Sequence, residues 1–138
     1  VALKSNLDGK VKMKNGNIKI EITETKFEKE KHKLMFYKNN KTQLDKIDNL
    51  QIFGTDGNIP KREYKSIKIE IDKVKIELPK NALKNLFEPN LESSTANYDK
   101  INDILYISSM NSDGAGGYLI IWIIEKKSYK NRIEAYGF

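Results

Sequence analysis

The chain has 138 residues, of which 38% are hydrophobic and 32% are charged, with no cysteine and a formal net charge of +6. This length suits one core, so we expect residues 1–138 to form a single domain. Without cysteine, disulfides, thiolate nucleophiles and thiolate metal sites are excluded. The longest apolar run, Leu119 to Ile124, is far shorter than the roughly 20 residues needed to span a bilayer.

The positive charge lies in the first part of the chain. Residues 1–80 hold 19 Lys+Arg against 12 Asp+Glu, and residues 81–138 hold 6 against 7. A basic region can meet nucleic acid, an anionic membrane or an acidic protein. Here the lysines are interleaved with glutamates, and the only arginines are Arg62 and Arg132. Because specific nucleic-acid readers favour arginine and stacked aromatic rings, we expect a solvated lysine-rich surface and neither nucleic-acid nor membrane binding.

The first predicted elements are short strands. Val11 to Met13 and Ile18 to Thr23 flank Asn15-Gly16, which indicates a hairpin because both positions tolerate positive φ. The second strand alternates apolar and polar residues, as a strand buried on one face does. After the polar tip "KEKHK", the sequence "LMFY" at 34–37 predicts the returning strand. Thr42 to Leu50 shows a weak helical spacing.

The sequence "SIKIEIDKVKIELP" predicts a hairpin with a defined register around the turn Asp72-Lys73. Its apolar side chains fall on one face and its charges on the other, and each opposite-charge pair contributes roughly 0.2–1 kcal/mol. A slip of one residue would bury those charges. The predicted pairs are Ile71 with Val74, Glu70 with Lys75, Ile69 with Ile76, Lys68 with Glu77, and Ile67 with Leu78.

One helix is predicted after this hairpin. Pro79 ends the ladder because it has no amide proton, and "NALKNLF" at 81–87 places Leu83, Leu86 and Phe87 on one helical stripe. Ser93 to Lys100 is predicted to be a loop.

Three strands complete the chain. They are Ile104 to Ser109, Tyr118 to Glu125 and Tyr129 to Ala135, and the second is apolar on both faces, as a central strand covered on each side would be. The fold class expected is therefore α+β. We predict a mostly antiparallel sheet of about seven or eight strands, sandwich or half-barrel-like, with one or two short helices.

The glycine-rich stretch "SDGAGGY" at 112–118 predicts a turn. Phosphate-binding glycine loops join a strand to a helix, whereas this one joins two strands, and Asp113 is its only carboxylate, too few for a calcium loop. Asp113 and the glycines are therefore interpreted as a tight turn, with a contact surface as the alternative.

The remaining candidate residues give no catalytic set. His32, the only histidine, is interpreted as an exposed hairpin residue, because a metal site or nucleophile–base pair needs further such groups. Trp122 is assigned to the core. The carboxylates that could form a hydrolytic pair are interpreted as surface charge; they are Asp99, Asp103, Glu125 and Glu134. We expect no enzymatic activity, no cofactor and no metal.

The second half of the chain resembles a known pattern. The stretches "IELPKNALKNLFEPNL" and "LYISSMNSDGAGGYLIIWIIEKKSYKNRIEAYGF", within Ile67 to Phe138, are similar to small bacterial proteins, some of them immunity proteins beside toxin genes. In particular the chain resembles the immunity proteins of contact-dependent growth inhibition, or polymorphic toxin, systems. The resemblance implies a non-catalytic cytoplasmic protein that binds and neutralises the C-terminal domain of a cognate toxin, a nuclease. It also implies β-augmentation as one mode of binding, and it carries over no residue of known function.

The candidate partner contacts are Asp113 and Tyr118 around the glycine loop, and Lys68 and Glu70 on the polar face of the hairpin. The N-terminal hairpins offer strand edges to an incoming strand. The charge of the chain opposes one such partner, since nucleases tend to be basic and would be repelled at long range. The oligomeric state is left open.

Two other functions are weighed against immunity. One is a small extracytoplasmic β-rich structural or ligand-binding domain, periplasmic if an export signal precedes Val1. The other is a carbohydrate-acting enzyme, which requires an activity that depends on one carboxylate.

Overall fold

The regular secondary structure of the chain is mostly antiparallel β-sheet. The computed structural model describes residues 3–112 and 114–136, and 56% of the structure is strand. The strands are β1 (Leu3–Leu7), β2 (Lys10–Asn15), β3 (Ile18–Lys26), β4 (Leu34–Phe36), β5 (Leu44–Ile47), β6 (Arg62–Ile71), β7 (Val74–Glu77), β8 (Thr95–Asp99), β9 (Ile104–Asn111), β10 (Tyr118–Glu125) and β11 (Ser128–Tyr136). The helical segments described are 3-10 turns at Lys29–Lys31, Lys80–Ala82, Leu91–Ser93 and Gly114–Gly116.

The five-stranded sheet has the order β1-β2-β3-β6-β7. The predicted register of the β6–β7 hairpin is confirmed: Ile71 pairs with Val74 and Lys68 pairs with Glu77. The turn residues Asp72 and Lys73 both have positive φ, 49° and 68°, as a two-residue turn matched to strand twist requires. The N-terminal hairpin of β2 and β3 is not an edge, because β1 pairs with β2 and β6 pairs with β3.

The four-stranded sheet has the order β11-β10-β9-β8. Strand β10 is central, as predicted, and pairs along its whole length with β9 and β11. The predicted last strand is confirmed as β11, which follows a turn with positive φ at Lys126 and Lys127. The predicted loop at 93–100 is wrong, since it contains β8 paired with β9. Its alternation is short and weak, because Ala96 and Tyr98 are the only apolar or aromatic residues in the segment.

The two larger sheets form two layers around one core. The inner face of the five-stranded sheet contributes residues such as Ile20, Ile22 and Ile67, and the inner face of the four-stranded sheet contributes residues such as Ile107 and Ile120. Trp122 is fully buried, as predicted. Its Nε1 donates a hydrogen bond of 2.9 Å to the Ala82 carbonyl, so the polar atom of the largest core side chain is satisfied.

The predicted helix at 81–87 is wrong, although its apolar stripe is buried. Leu83, Leu86 and Phe87 all lie in the core, but the segment is a 3-10 turn followed by further turns. Asn85 has a φ of 58°, which is outside the right-handed helical region. The α+β assignment is therefore corrected to a β-rich fold with 3-10 turns.

A small two-stranded sheet of β4 and β5 has its own core cluster. Thr42 to Leu50 is not helical, because Leu44 to Ile47 forms β5. The connection between β4 and β5, residues 37–43, is exposed throughout. The buried cluster consists of Phe27, Leu44, Ile47, Ile52 and Phe87, with Leu34 packed against it.

Candidate functional site

The outer face of the four-stranded sheet is apolar and open. It exposes Met110 by 50%, Ile133 by 47% and Tyr106 by 36%. Isolated surface apolar residues are ordinary, but a contiguous group marks an interaction site. We call this group the apolar face; it consists of Tyr106, Met110, Leu119, Ile121, Ile123 and Ile133.

The register of the strands makes this face continuous. Leu119 lies between Met110 and Ala135, and Ile121 lies between Ser108 and Ile133. In the next row Ile123 lies between Tyr106 and Asn131. The β8 residues beside these rows, Thr95 and Asn97, are also uncharged.

Strand β10 explains how the face arises. Every residue from Tyr118 to Ile124 is apolar or aromatic, and successive side chains of a strand point to opposite faces. Tyr118, Ile120, Trp122 and Ile124 enter the core, whereas the alternate residues remain half-buried. The prediction that β10 is covered on both sides is therefore wrong for its outer side in the part of the chain that the structure describes.

The outer face of the five-stranded sheet has the opposite chemistry. It forms a depression of about 880 Å³ lined by six lysines and three glutamates, together with neighbouring polar and apolar residues. We call it the basic groove. Lys68 and Glu70, two of the predicted partner contacts, line it. Glu70 on β6 forms an ion pair with Lys19 on the neighbouring strand β3, at 3.7 Å.

The other two predicted contacts are not on this surface. Asp113 lies outside the described residues. Tyr118 is only 1% exposed, and its hydroxyl donates a hydrogen bond of 2.8 Å to the Phe87 carbonyl. Burial raises the pKa of Tyr118 well above its ordinary value. Tyr118 is therefore a core residue and unavailable for a surface contact.

The glycine-rich loop joins β9 to β10, as predicted, and has a packing role. A Cβ on Gly116 would lie 2.9 Å from the Gly54 carbonyl oxygen, closer than real Cβ contacts allow. The Ser112 hydroxyl donates a hydrogen bond of 2.8 Å to the same oxygen. Close approach to the Gly54 backbone thus accounts for the glycine at 116.

His32 is not an exposed hairpin residue. Its ring stacks on Phe27 with a centroid separation of 4.6 Å, and its side chain is 18% exposed. Nδ1 lies 2.7 Å from Asp48 Oδ2, and Nε2 lies 3.1 Å from Glu63 Oε2. The two nitrogens thus hold carboxylates from two different parts of the chain, which sequence spacing could not reveal.

His32, Asp48 and Glu63 form a hydrogen-bonded triad, and the pKa shifts of His32 and Asp48 follow from its geometry. Partial burial lowers the pKa of His32, but the hydrogen bonds to Asp48 and Glu63 outweigh burial and raise it. Partial burial raises the pKa of Asp48, but the amide of Lys33 and the His32 ring outweigh it and lower the value. Both shifts favour an imidazolium held between carboxylates.

A buried polar cluster was missed by sequence reasoning. Asn111, 1% exposed, donates from Nδ2 to the hydroxyls of Tyr64 at 2.7 Å and Tyr118 at 3.3 Å. Its Oδ1 accepts from the Asn90 amide at 2.7 Å and the Ser109 hydroxyl at 2.8 Å. Burial raises the pKa of Tyr64 to about 12, so this phenol stays protonated and acts as a structural hydrogen-bonding group.

The carboxylates weighed as a hydrolytic pair are each engaged locally. Glu134 pairs with Arg132 at 2.6 Å, and Glu125 pairs with Lys130 at 3.2 Å. Asp103 pairs with Lys127 at 2.9 Å. Asp99 accepts hydrogen bonds from the turn that follows it.

Over residues 3–112 and 114–136, no group of three histidine or acidic side chains is placed to hold a metal ion. In the same residues no helix has the length and apolar composition needed to cross a bilayer. Comparisons of the chain with known protein families, with curated proteins and with solved structures find no match.

Proposed function

We propose that this chain is a non-catalytic protein-binding domain whose partner docks on the apolar face. The supporting observation is the contrast between that face and the rest of the molecule. The chain holds 25 Lys+Arg and 19 Asp+Glu, yet three successive rows of the four-stranded sheet carry none of them. Depletion of charge with retention of aromatic and methionine side chains is typical of interface centres.

The partner proposed is a different protein rather than a second copy. Two copies would each bring a net charge of +6 and repel one another at long range. A strongly basic toxin domain would meet the same long-range repulsion, which an uncharged contact face does not remove, so the proposal requires a toxin domain whose net charge is not strongly positive.

We further propose that the partner is the cognate toxin domain of a polymorphic toxin system. This assignment depends on the resemblance of residues 67–138 to immunity proteins, and strands β8 to β11, which build the apolar face, all lie in that range. The chain would neutralise the toxin by covering its active site in a complex of one chain to one toxin domain.

Strand addition is compatible with the same face. β11 is nine residues long and is an edge of its sheet, so it offers unpaired backbone groups along one side. A toxin strand added to β11 would extend the sheet beside Ile133. The bulge between Ile123 and Ile124 would confine regular pairing to the part of β11 nearer Tyr136.

The test uses the toxin domain that the proposal places in a neighbouring reading frame. In the double variant Met110→Lys, Ile133→Lys we expect Kd for that domain to rise at least about tenfold and protection from toxicity to fail. Both side chains are about half exposed, so the fold should persist. Isothermal titration calorimetry and a co-expression viability assay provide the readouts.

The control variant changes the basic groove and leaves the apolar face intact. Lys14→Gln with Lys75→Gln removes two lysines that form no ion pair in the described part of the chain, and it should bind and protect as the unmodified chain does. If this control loses binding and the apolar-face variant retains it, the contact lies on the five-stranded sheet. A third outcome would show that a second copy occupies the apolar face. In that case the toxin domain binds neither the unmodified chain nor the control, and sedimentation detects dimers of the unmodified chain that the apolar-face variant no longer forms.

A further inference from the structure

The basic groove carries lysines in excess of what the fold neutralises. Six lysines and three glutamates line it. The Lys4 ammonium donates to the backbone carbonyls of Glu92 and Ser94, and the other five lysines with the three glutamates give a net charge of +2. Glu21 pairs with Lys10 at 3.7 Å and Lys12 at 3.9 Å, and Glu70 pairs with Lys19. In the described part of the chain, no ion pair is formed by Lys14, Lys68 or Lys75.

The arrangement of the lysines costs the free protein stability. Lys14 lies directly opposite Lys19 in the β2–β3 ladder, and like charges in that position repel. The same row continues through Glu70 to Lys75, which spans about 14 Å at the usual strand spacing. An anionic occupant would relieve this repulsion.

The groove does not have the chemistry of a nucleic-acid site. Its lining includes no arginine and no aromatic residue, so it lacks both bidentate phosphate contacts and stacking platforms. Glu21, Glu70 and Glu77 stand between the lysines and would repel a continuous phosphate backbone. Those glutamates can instead pair with occasional basic residues of a protein segment.

The groove also differs from a membrane-binding surface. It is a depression, with charged side chains over the sheet, and it presents no exposed large apolar anchor of the kind that interfacial segments insert. The aliphatic stems of its lysines cover the sheet while their ammonium groups reach solvent. Such a surface suits a chain that presents both carboxylates and small apolar side chains.

We propose that the basic groove binds an acidic, partly apolar segment of a protein in extended conformation. This surface belongs to the five-stranded sheet, whereas the apolar face belongs to the other sheet, so the proposal extends the function given above to a second protein partner. Lys14, Lys19 and Lys75 supply the recognition by pairing with carboxylates along their row.

The experiment uses a fluorescent synthetic peptide of alternating Glu and Val as the probe. In fluorescence anisotropy we expect the unmodified chain to bind it in a salt-sensitive manner. The double variant Lys14→Gln, Lys75→Gln should weaken binding about tenfold. The matched control, Lys38→Gln with Lys41→Gln, removes the same charge from the exposed 37–43 connection and should change affinity less than about twofold.

Three results would overturn the proposal. One is the absence of peptide binding at low salt. Another is equal loss in the groove variant and the matched control, which indicates attraction by net charge alone. A third is tighter binding of a single-stranded oligonucleotide or of anionic phosphatidylserine vesicles than of the peptide. The apolar-face variant Met110→Lys, Ile133→Lys should retain peptide binding, so failure here is distinguishable from failure of the toxin-binding proposal.

Discussion

Single buried polar residues hold the segments around the core together. Asn111 on β9 joins Tyr64 on β6, Tyr118 on β10 and the backbone of Asn90, and thus links both layers with the turn between β7 and β8. Asn85 does the same for the small sheet, because its amide donates to the carbonyls of Ile47, Leu50 and Gln51.

Asn111→Ala should lower the free energy of unfolding by about 2–4 kcal/mol. The substitution removes the acceptor of the Asn90 amide and the donor to the Tyr64 and Tyr118 hydroxyls, and a buried amide without an acceptor carries its full desolvation penalty. Urea unfolding measures the change. Asn97→Ala, in the exposed part of neighbouring β8, is the matched control and should fall within about 0.5 kcal/mol of the unmodified chain; a loss for Asn111→Ala no larger than that would contradict this role.

His32 should give the protein a stability that declines at high pH. Because the folded pKa of His32 is raised, its contribution is complete below the unfolded value of 6.5 and is lost as pH rises through the folded pKa. Since the triad is partly exposed, the contribution should be about 0.2–1 kcal/mol. Thermal unfolding of the unmodified chain and His32→Gln should therefore differ more at pH 5.5 than at pH 8.5.

A difference in melting temperature that is the same at both pH values would show that His32 acts only by packing on Phe27. The pH dependence of Asp48 sets the lowest pH at which the unmodified chain and His32→Gln can be compared. The pKa of Asp48 is lowered, so its contribution is present above its unfolded value of 3.8 and is lost as pH falls through the folded value. The measurement at pH 5.5 is made above the pH range in which the contribution of Asp48 is lost.

Sequence reasoning could assign Trp122 to the core but could not place His32. Trp122 sits in a run of apolar residues that identifies a buried strand by itself. The surroundings of His32 come from Asp48 and Glu63, which are 16 and 31 residues away in the chain. Its environment is therefore decided by tertiary contacts that no local pattern contains.

At the scale of elements, two-residue turns connect the strands of two hairpins. Asp72-Lys73 and Lys126-Lys127 both adopt positive φ at non-glycine residues, a conformation that costs free energy for residues with a Cβ. Cross-strand pairing of the flanking strands offsets this cost in each hairpin.

Lys73→Gly should raise the free energy of unfolding by about 0.5 kcal/mol, because glycine adopts the φ of 68° without steric cost. Chemical denaturation provides the measurement. Lys75→Gly, two residues further along in β7, should instead lower it by about 0.5–1 kcal/mol, because glycine weakens a strand interior. If Lys75→Gly also raised the free energy of unfolding, glycine would not be weakening the strand at that position, and this prediction would be contradicted.

The β6–β7 register was predictable because the apolar alternation and the charge pairs are local and agree with one another. Strand β8 was missed because the alternation in "TANYD" is short and weak. Only Ala96 and Tyr98 face the core, and pairing with β9 makes the segment a strand. The segment at 81–87 shows the opposite error. Its apolar spacing correctly indicated burial. A series of turns can place residues with this spacing in the core as well as a helix can, and here turns bury Leu83, Leu86 and Phe87.

At the scale of the whole molecule, two sheets with opposite outer faces share one core. The basic groove collects lysines from the first part of the chain, and the apolar face collects uncharged residues from β8 to β11. The uneven charge of the two halves was visible in the sequence. That each half would form its own layer, with β10 open on one side, depended on which strands pair and could not be read from local patterns.

The exposed connection at 37–43 is suitable for site-specific labelling. It belongs to the small β4–β5 sheet and lies on neither the apolar face nor the basic groove. With no cysteine in the chain, a single cysteine introduced at Asn39 would be the only thiol. A dye or a biosensor tether attached there would leave both outer surfaces free to meet their ligands.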